Sequence, residues 1–262
     1  MEIDKLAKLL EEAVEKTLPQ GKVAIAFSGG LDSATIATIA KKKVTTDIIA
    51  TGMENSHDIK AAQETAGELG LELNLVLLDE KKILKSYEIC WKIMPGTLTD
   101  IELMVGAYEC CKKAKQLEDG VILFGSGAEE NFIGYQKYYN RFSEGKDLKE
   151  ILKKEISTLP SRDLKRTGAV AKYCGVDARF PFMDKKLIDE ISKVPVKERI
   201  GTPKMKKPLL RKIAKLLEVP KSAIERPKKA MQYGSDIHKI LLRHAKAKTI
   251  EFWDARPPFV YE

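Results

Sequence analysis

Residues 22–40 read KVAIAFSGGLDSATIATIA. An apolar, β-prone run over 22–27 enters Ser28-Gly29-Gly30-Leu31-Asp32-Ser33, and a helical pattern follows from about 32 to 42. A strand that passes through two glycines straight into a helix leaves few architectures open. The turn must sit at the carboxyl end of a strand, and in an open parallel sheet that is where ligands bind. Gly29 and Gly30 let main-chain N–H groups approach an oxyanion closely, and the helix starting near Asp32 adds the partial positive charge of its N-terminus. Ser28 and Ser33 supply hydroxyl donors. The segment is an anion cradle, and the question is which anion it holds.

The rest of the amino-terminal half repeats the strand–helix alternation. TDIIATG (46–52), LELNLVLLD (71–79) and GVILFGSG (120–127) read as strands, and helical periodicity fills 2–17, 58–70, 80–93 and 99–118. Strands that alternate with helices predict a parallel sheet covered on both faces. After about residue 140 no strand is expected. Residues 145–250 carry helical patterns interrupted by prolines. The expectation is an α/β core over 1–140 and a helical portion over 141–262 that completes the active site, with no independent linker.

Asp32 narrows the choice of anion. A carboxylate inside a phosphate cradle repels its ligand unless a cation lies between them, and Mg²⁺ takes carboxylate and phosphate oxygens together. The alternative is an ordinary acidic helix cap. The stretch is not GxxxxGK[ST], which disfavours a γ-phosphate-cleaving P-loop, nor GxGxxG, which disfavours a dinucleotide site. The formal net charge is +8, with a basic excess in 203–229 that includes Lys204, Lys206, Lys207, Arg211, Lys212, Lys215, Lys221, Arg226, Lys228 and Lys229. That excess suits a polyphosphate substrate, a nucleic acid or plain solubility. The four cysteines show neither CxxC spacing nor a His-paired metal pattern. With no apolar run of about 18 residues and no signal-peptide core, a reduced, cytoplasmic protein without a membrane partner is expected.

Three further segments turn the cradle into a family resemblance. SGGLDS after a strand is the signature of the ATP pyrophosphatases with an adenine nucleotide α-hydrolase-like fold. LFGSGAEENFIGYQKY (123–138) resembles the acidic loop LSGxGxDExFxGYxxY of asparagine synthetases and their β-lactam synthetase relatives. SRDLKRTGAVAKYCGVDARFPFMDKKLID (161–189) resembles their RDxxR…RxPFxD segment, and KKPLLRKIAKLLEVPKSAIERPKKA (206–230) their KxLLR…RxKxx segment. The resemblance implies an ATP-dependent, AMP- and pyrophosphate-forming amide ligase with ATP and Mg²⁺ as cofactors. A carboxylate, aspartate by default, attacks the α-phosphate; pyrophosphate leaves into the cradle; ammonia or an amine captures the acyl-adenylate.

By the same resemblance Asp32 and Glu129 hold the metal and act in catalysis, although Glu129 and Glu130 also suit a simple helix start. Lys228 falls at the family's catalytic lysine, with Lys229 its competitor. Ala26, Phe27, the cradle from Ser28 to Ser33, Gly52, Met53, Phe124 and Gly125 line the nucleotide pocket, the glycines at 52 and 125 admitting a flat base. Arg211 either supports phosphates or forms a structural pair, and Arg179 with Asp184 reads as scaffold.

Departures from the family shape the alternatives. The chain begins Met1-Glu2, where glutamine-dependent enzymes carry a glutaminase with a leading cysteine. Nitrogen is therefore expected from free ammonia, an amine or a separate glutaminase subunit, and a homodimer is one assembly open to the chain. Ser126 stands where the family has a glutamate that assists amine attack, Phe124 where asparagine synthetases have serine, and Ile133 where they have glycine. A tRNA- or nucleobase-modifying enzyme on the same scaffold and a non-catalytic nucleotide-binding regulator are the rival readings. Against the first, Cys110 and Cys111 are adjacent on a predicted helix, about 100° apart, and suit buried packing.

Overall fold

The computed structural model describes residues 2–226 and 234–252, with Glu2 described by its backbone. The elements run α1 (Glu2–Glu15), β1 (Lys22–Ala26), α2 (Leu31–Ala40), β2 (Thr45–Met53), α3 (His57–Leu69), β3 (Leu73–Leu78), α4 (Glu80–Ile93), α5 (Leu98–Gln116) and β4 (Val121–Leu123). There follow α6 (Ala128–Asn131), α7 (Gln136–Ser143), α8 (Leu148–Thr158), α9 (Asp163–Cys174), β5 (Asp177–Arg179), α10 (Lys185–Lys193), α11 (Val196–Arg199), α12 (Pro208–Leu216) and α13 (Lys221–Glu225). The last described helix is α14 (Ile237–Lys246).

The strands form one parallel sheet in the order β3-β2-β1-β4-β5. The order in which strands are added reverses at β1: its successor β2 lies on one side and β4 on the other. The carboxyl ends of β1 and β4 therefore flank a topological switch point, where the loops diverge and open a crevice. Both faces of the sheet are covered. Val23, Ile25, Ile48 and Leu123 join the core under α1, α2 and α12, while Ala24, Ile49, Val76 and Ile122 join the core under α4, α5 and α9. A central strand buried on both faces reads as an unbroken apolar run, which is why KVAIA carries no alternation.

Helix α2 explains the fixed position of the cradle. All of its residues but Asp32 are buried. A helix enclosed all round holds only small or apolar side chains, and its two threonines close their hydroxyls internally, Thr35 onto Leu31 O at 2.7 Å and Thr38 onto Ala34 O at 2.8 Å. The helix is thus seated in the core on every side, with its N-terminus at the crevice.

One expectation needs correction: the carboxyl-terminal half does contribute a strand. β5 pairs with β4 through Val121–Asp177 to Leu123–Arg179. Its three residues, Asp-Ala-Arg, offer no apolar alternation, and its position is set by main-chain bonds, Asp177 N to Gly120 O at 2.9 Å and Phe124 N to Arg179 O at 3.0 Å. Arg179 and Asp184 do not pair with each other. Arg179 binds Asp177 at 2.7 Å and the Thr17 carbonyl at 2.9 Å. Asp184 caps α10 through Leu187 N at 3.1 Å and binds Lys16 at 2.8 Å. Both are structural ties to the α1 region. The four cysteines are free thiols, and Cys90, Cys110 and Cys111 are buried. No helix among the described residues is long and apolar enough to cross a membrane.

At the opposite end of the sheet from the crevice, Asp119 is 1% exposed and neither carboxylate oxygen has a hydrogen-bond partner among the described residues. Burial, with the Asp47 carboxylate adding to it, pushes its pKa from 3.8 to about 6. The folded state thus holds a proton that the unfolded chain releases. Its stabilising share is complete below pH 3.8 and is lost as pH rises through about 6. Asp119→Asn is expected to flatten the fall in unfolding free energy between pH 4 and 7; urea unfolding curves for the two proteins that stay parallel across that range would contradict this.

Candidate active site

The β1–α2 turn is closed by its own serines. Ser33 Oγ accepts from Ser28 N at 3.2 Å and donates to Gly30 O at 3.2 Å, and Gly30 N reaches Ser28 Oγ at 3.4 Å. Gly29 has φ +66, and a Cβ there would lie 2.3 Å from Ala61 O. Glycine at 29 is thus required by the left-handed turn and by contact with α3. Gly30 has an ordinary φ of −84 and serves as the N-cap of α2 without a side-chain cap, so the first N–H groups of the helix stay directed at the crevice. Gly52, expected against a flat base, lies instead beneath Ser56 and Ser235: a Cβ would meet Ser56 Oγ at 2.9 Å and Ser235 at 3.3 Å. Met53 N donates to Ser235 O at 3.0 Å. A Cβ on Gly125 would meet Asp32 Cβ at 3.2 Å, so this glycine gives room to the cradle's carboxylate.

Asp32 and Glu129 converge. Asp32 comes from the first turn of α2, Glu129 from the first turn of α6 after β4, and the switch point brings the two loops together. Between them stands Lys207. Its Nζ donates to Asp32 Oδ1 at 2.8 Å, Asp32 Oδ2 at 2.7 Å and Glu129 Oε1 at 2.8 Å. The lysine side chain is 3% exposed, that of Asp32 16% and that of Glu129 9%. Sequence reading gave Lys207 no role beyond the basic stretch, although it occupies the lysine of the KxLLR pattern. Its backbone has φ 58 and ψ 50, left-handed for a residue with a Cβ, a state costing roughly 1–2 kcal/mol and held only where the surroundings over-determine it.

Gly134 makes the cluster possible. A Cβ there would stand 1.7 Å from Glu129 Oε2 and 2.3 Å from Lys207 Cε. The preceding Ile133, which replaces the family's glycine, also has a positive φ of 58. It is fully buried against Tyr138, Tyr139, Leu148 and Leu152, and burying such a side chain contributes about 1.5–3 kcal/mol, enough to offset its strained backbone.

Two cavities meet at Asp32. The smaller, about 50 Å³, is lined by Ser28, Gly30, Lys206, Lys207, Arg211 and Arg226 among others. Arg226 reaches it from the Gly29 carbonyl at 3.0 Å. Arg211 forms no carboxylate pair; it ties α12 to the end of α13 through the carbonyls of Lys206, Ile224 and Arg226. The larger cavity, about 690 Å³, includes Ala26, Phe27, Ser28, Asp32, Ser33, Phe124, Gly125 and Glu129, with Thr51 and Ser126 beside them. That volume is in the range of a small-molecule or cofactor site. Its far end is walled by α5, α7, α8 and α9, where Arg166 binds Asp100 at 2.9 Å and Arg162 and Lys137 bind Glu155 at 3.0 and 2.6 Å. Glu130 lines the same end, 3% exposed. Burial, reinforced by the neighbouring Glu129 charge, raises its pKa to about 7. These far-wall ion pairs were not legible as a site; RDLKR at 162–166 was the available signal. Lys228 and Lys229 lie outside the described residues.

The donor set also fits a divalent cation. Lys207 already meets the charge of the two buried carboxylates in this state, and a divalent cation in its place would meet the same need, since buried charge calls for a partner. Hard carboxylate oxygens from two loops, open on one side to an anion cavity, suit Mg²⁺. Asp32 and Glu129 are the residues that would hold it.

This arrangement coincides with a family model. The asparagine synthase model matches residues 5–153 and 140–252. The chain belongs to the asparagine synthase family. The glutamine-hydrolysing asparagine synthetase B of Escherichia coli strain K12 is 29% identical over 231 residues, which cover 79% of this chain and 41% of that protein. The glutamine-hydrolysing asparagine synthetase of Gallus gallus is 28% identical over 239 residues, covering 86% of this chain and 42% of that protein. The chain therefore spans less than half the length of these curated relatives. Among solved structures, NMN synthetase from Francisella tularensis aligns over 98% of both chains at 14% identity with a TM-score of 0.43.

Gly134→Ala is expected to break the Lys207–Glu129 contact, lowering the melting temperature and weakening any nucleotide binding at this site. Gly168→Ala is the control: it lies within α9 and its Cβ would meet nothing within 4 Å, so it should stabilise by about 0.5–1 kcal/mol. Equal melting temperatures and nucleotide affinities for the two variants would show that the packing around Gly134 is not limiting.

Proposed function

We propose that this chain is an ATP-dependent amide ligase of the asparagine synthetase kind, which adenylates a carboxylate, releases pyrophosphate and passes the acyl group to ammonia or an amine. The observation that carries the reading is the convergence of Asp32 and Glu129 on one cation position, between a small basic cavity and a large mixed one. A phosphoryl transfer needs little covalent help from a protein. It needs placement and neutralisation of charge on the oxygens.

The nucleotide base and ribose would occupy the part of the large cavity lined by Ala26, Phe27, Thr51 and Phe124. The polyphosphate would then cross the α2 N-terminus toward Ser28, Gly30, Lys206, Arg211 and Arg226. A carboxylate oxygen of the second substrate attacks the α-phosphorus from the Glu130–Arg166 end. The bond between the α-phosphorus and the oxygen bridging to the β-phosphate breaks, and its electron pair leaves with pyrophosphate into the basic cavity. The amine nitrogen then attacks the acyl carbon, and AMP departs with the former carboxylate oxygen. Mg²⁺ held by Asp32 and Glu129 would supply neutralisation of the phosphate charge that grows as this bond breaks. Lys228, by its place in the RxKxx pattern, would add a fixed ammonium near the same oxygens.

Aspartate is the default acid. The nitrogen source is free ammonia, an amine or the product of a separate glutaminase subunit, and a homodimer and a cytoplasmic site of action belong to the same reading. The chain splits functionally as an α/β core over 1–140 and a helical portion over 141–262 that walls the acceptor end.

Incubation with ATP, Mg²⁺, ammonium and a panel of small carboxylic acids is expected to give AMP and pyrophosphate in equal amounts, dependent on one acid; ADP and inorganic phosphate would overturn the reading. Asp32→Asn should lower kcat by about 10²–10³-fold, with a much smaller change in ATP affinity. Lys228→Ala should lose ATP–pyrophosphate exchange while keeping the wild-type circular dichroism spectrum; unaltered exchange would remove Lys228 from the site.

A further inference from the structure

The Lys207 ammonium donates to three carboxylate oxygens, two on Asp32 and one on Glu129, at 2.7 to 2.8 Å. An ammonium has three protons to donate, so all are engaged. The group stands at the convergence of the two carboxylates, which is the position a divalent cation bound by the same pair would take. A cation cannot enter beside it, because the two positive charges would sit in contact in a poorly solvated site. One of them has to leave.

The structure offers Lys207 one other destination. The same residue lines the small cavity together with Ser28, Gly30, Arg211 and Arg226. Its backbone is fixed: Pro208 starts α12, and Arg211 N donates to Lys207 O at 3.0 Å. Movement is therefore confined to the side chain, whose four methylenes pivot between the carboxylates and the basic cavity. The cavity is also lined by Asp32 and Asp58, but Lys206, Arg211 and Arg226 outnumber them, so without an anion there the move would exchange three carboxylate bonds for a site already rich in positive charge. With phosphate oxygens there, it gains a new partner as it gives up the old one. Lys206 is not an equivalent candidate, since its ammonium lies over the Tyr139 ring, 5.5 Å from the centroid.

We propose that Lys207 is a resident counter-ion for Asp32 and Glu129, which keeps the pair closed to divalent cations until nucleotide phosphate takes up its ammonium. The proposal rests on the nucleotide reading of the site given above. Metal and nucleotide then bind with positive coupling, and the coupling is reciprocal: each raises the affinity for the other by the same factor. The free enzyme is protected from occupation by metal alone, and Lys207 reaches the phosphates only when its place is filled.

The test is Mn²⁺ binding, followed by loss of the electron paramagnetic resonance signal of the free aquo ion. It is run with and without an ATP analogue carrying a methylene between the α- and β-phosphorus atoms. For the wild-type chain the analogue is expected to tighten Mn²⁺ binding by roughly 10- to 100-fold, in the usual range of such couplings. Lys207→Met is expected to bind Mn²⁺ without nucleotide at least about tenfold more tightly than wild type, with the coupling factor reduced toward one. Lys207→Gln, which keeps hydrogen-bonding capacity, should show the same gain and guards against loss of folding in the first variant. Equal wild-type affinity for Mn²⁺ with and without bound analogue overturns the proposal whatever the variants do. So does a cooperatively folding Lys207 variant with no gain in nucleotide-free Mn²⁺ binding; if the wild-type chain still binds the analogue with Mn²⁺, the ligase reading survives that failure. If the variants gain Mn²⁺ binding but no protein binds the analogue, the nucleotide-released gate and the ligase reading both fall, and Lys207 is left as a counter-ion alone.

Discussion

Two carboxylates held within reach of one ammonium, almost out of contact with water, set the terms for everything around them. Asp32 and Glu129 are brought together by loops that leave adjacent strands of a parallel sheet, and either alone would be an ordinary helix-start acid. Together, at 16% and 9% exposure, they need a cation. The chain meets that need from a third element: Lys207 arrives at the head of α12 in a left-handed conformation. Much of the neighbouring architecture then follows as accommodation. Gly134 has no side chain because Glu129 and Lys207 fill the space. Gly125 has none because Asp32 does. Asn131 fixes the α6 loop by donating to Gly127 O at 2.9 Å and Phe182 O at 2.8 Å, and it accepts from buried Arg199 at 2.6 Å through its own carbonyl.

The sheet order explains why these loops and no others meet. In β3-β2-β1-β4-β5 the central strand β1 has its sequence successor on one side and β4 on the other. The helices after β1 and β4 therefore diverge, and the crevice between them cannot be filled by either. Helix α2 is enclosed so completely that its N-terminus is a fixed feature of the core, while the α6 loop is pinned by side-chain bonds. A cradle packed into the core faces a carboxylate on a hydrogen-bonded loop, and in the proposed gate the Lys207 side chain is the part that moves between them.

The parts of this arrangement that were legible in the sequence are those whose cause is local. β1, its glycine turn and α2 are dictated by a continuous apolar run, two glycines and small buried residues, all within twenty positions. The acidic loop at 123–138 was legible as a motif. What was not legible arises from contacts across the chain. Lys207 lies 175 residues from Asp32 and 78 from Glu129, and its place in the KxLLR pattern separates it from the other lysines of 203–229 without saying what it touches. β5 is three residues whose strand state comes from β4 and not from their own pattern. Gly29 and Gly52 were read as making room for a ligand, whereas the backbone uses them to admit Ala61 and the Ser56–Ser235 contact. A glycine states that something approaches closely; the sequence does not say what.

The two cavities differ in a way that bears on chemistry. The small one gathers Lys206, Lys207, Arg211 and Arg226 against Asp32 and Asp58; Arg211 is committed to main-chain carbonyls, and Arg226 divides between a carbonyl and Glu64. At the far end of the large cavity every base is matched: Arg166 by Asp100, Arg162 and Lys137 by Glu155. A chamber whose bases outnumber its carboxylates draws a polyanion, while a chamber of balanced ion pairs recognises shape and hydrogen bonding without a strong net field. The proposed cleavage between the α and β phosphorus atoms would use this division, with the departing anion pulled to one side and the retained fragment held on the other. The acid at the boundary, Asp32, faces both cavities, and it is the residue whose charge Lys207 neutralises.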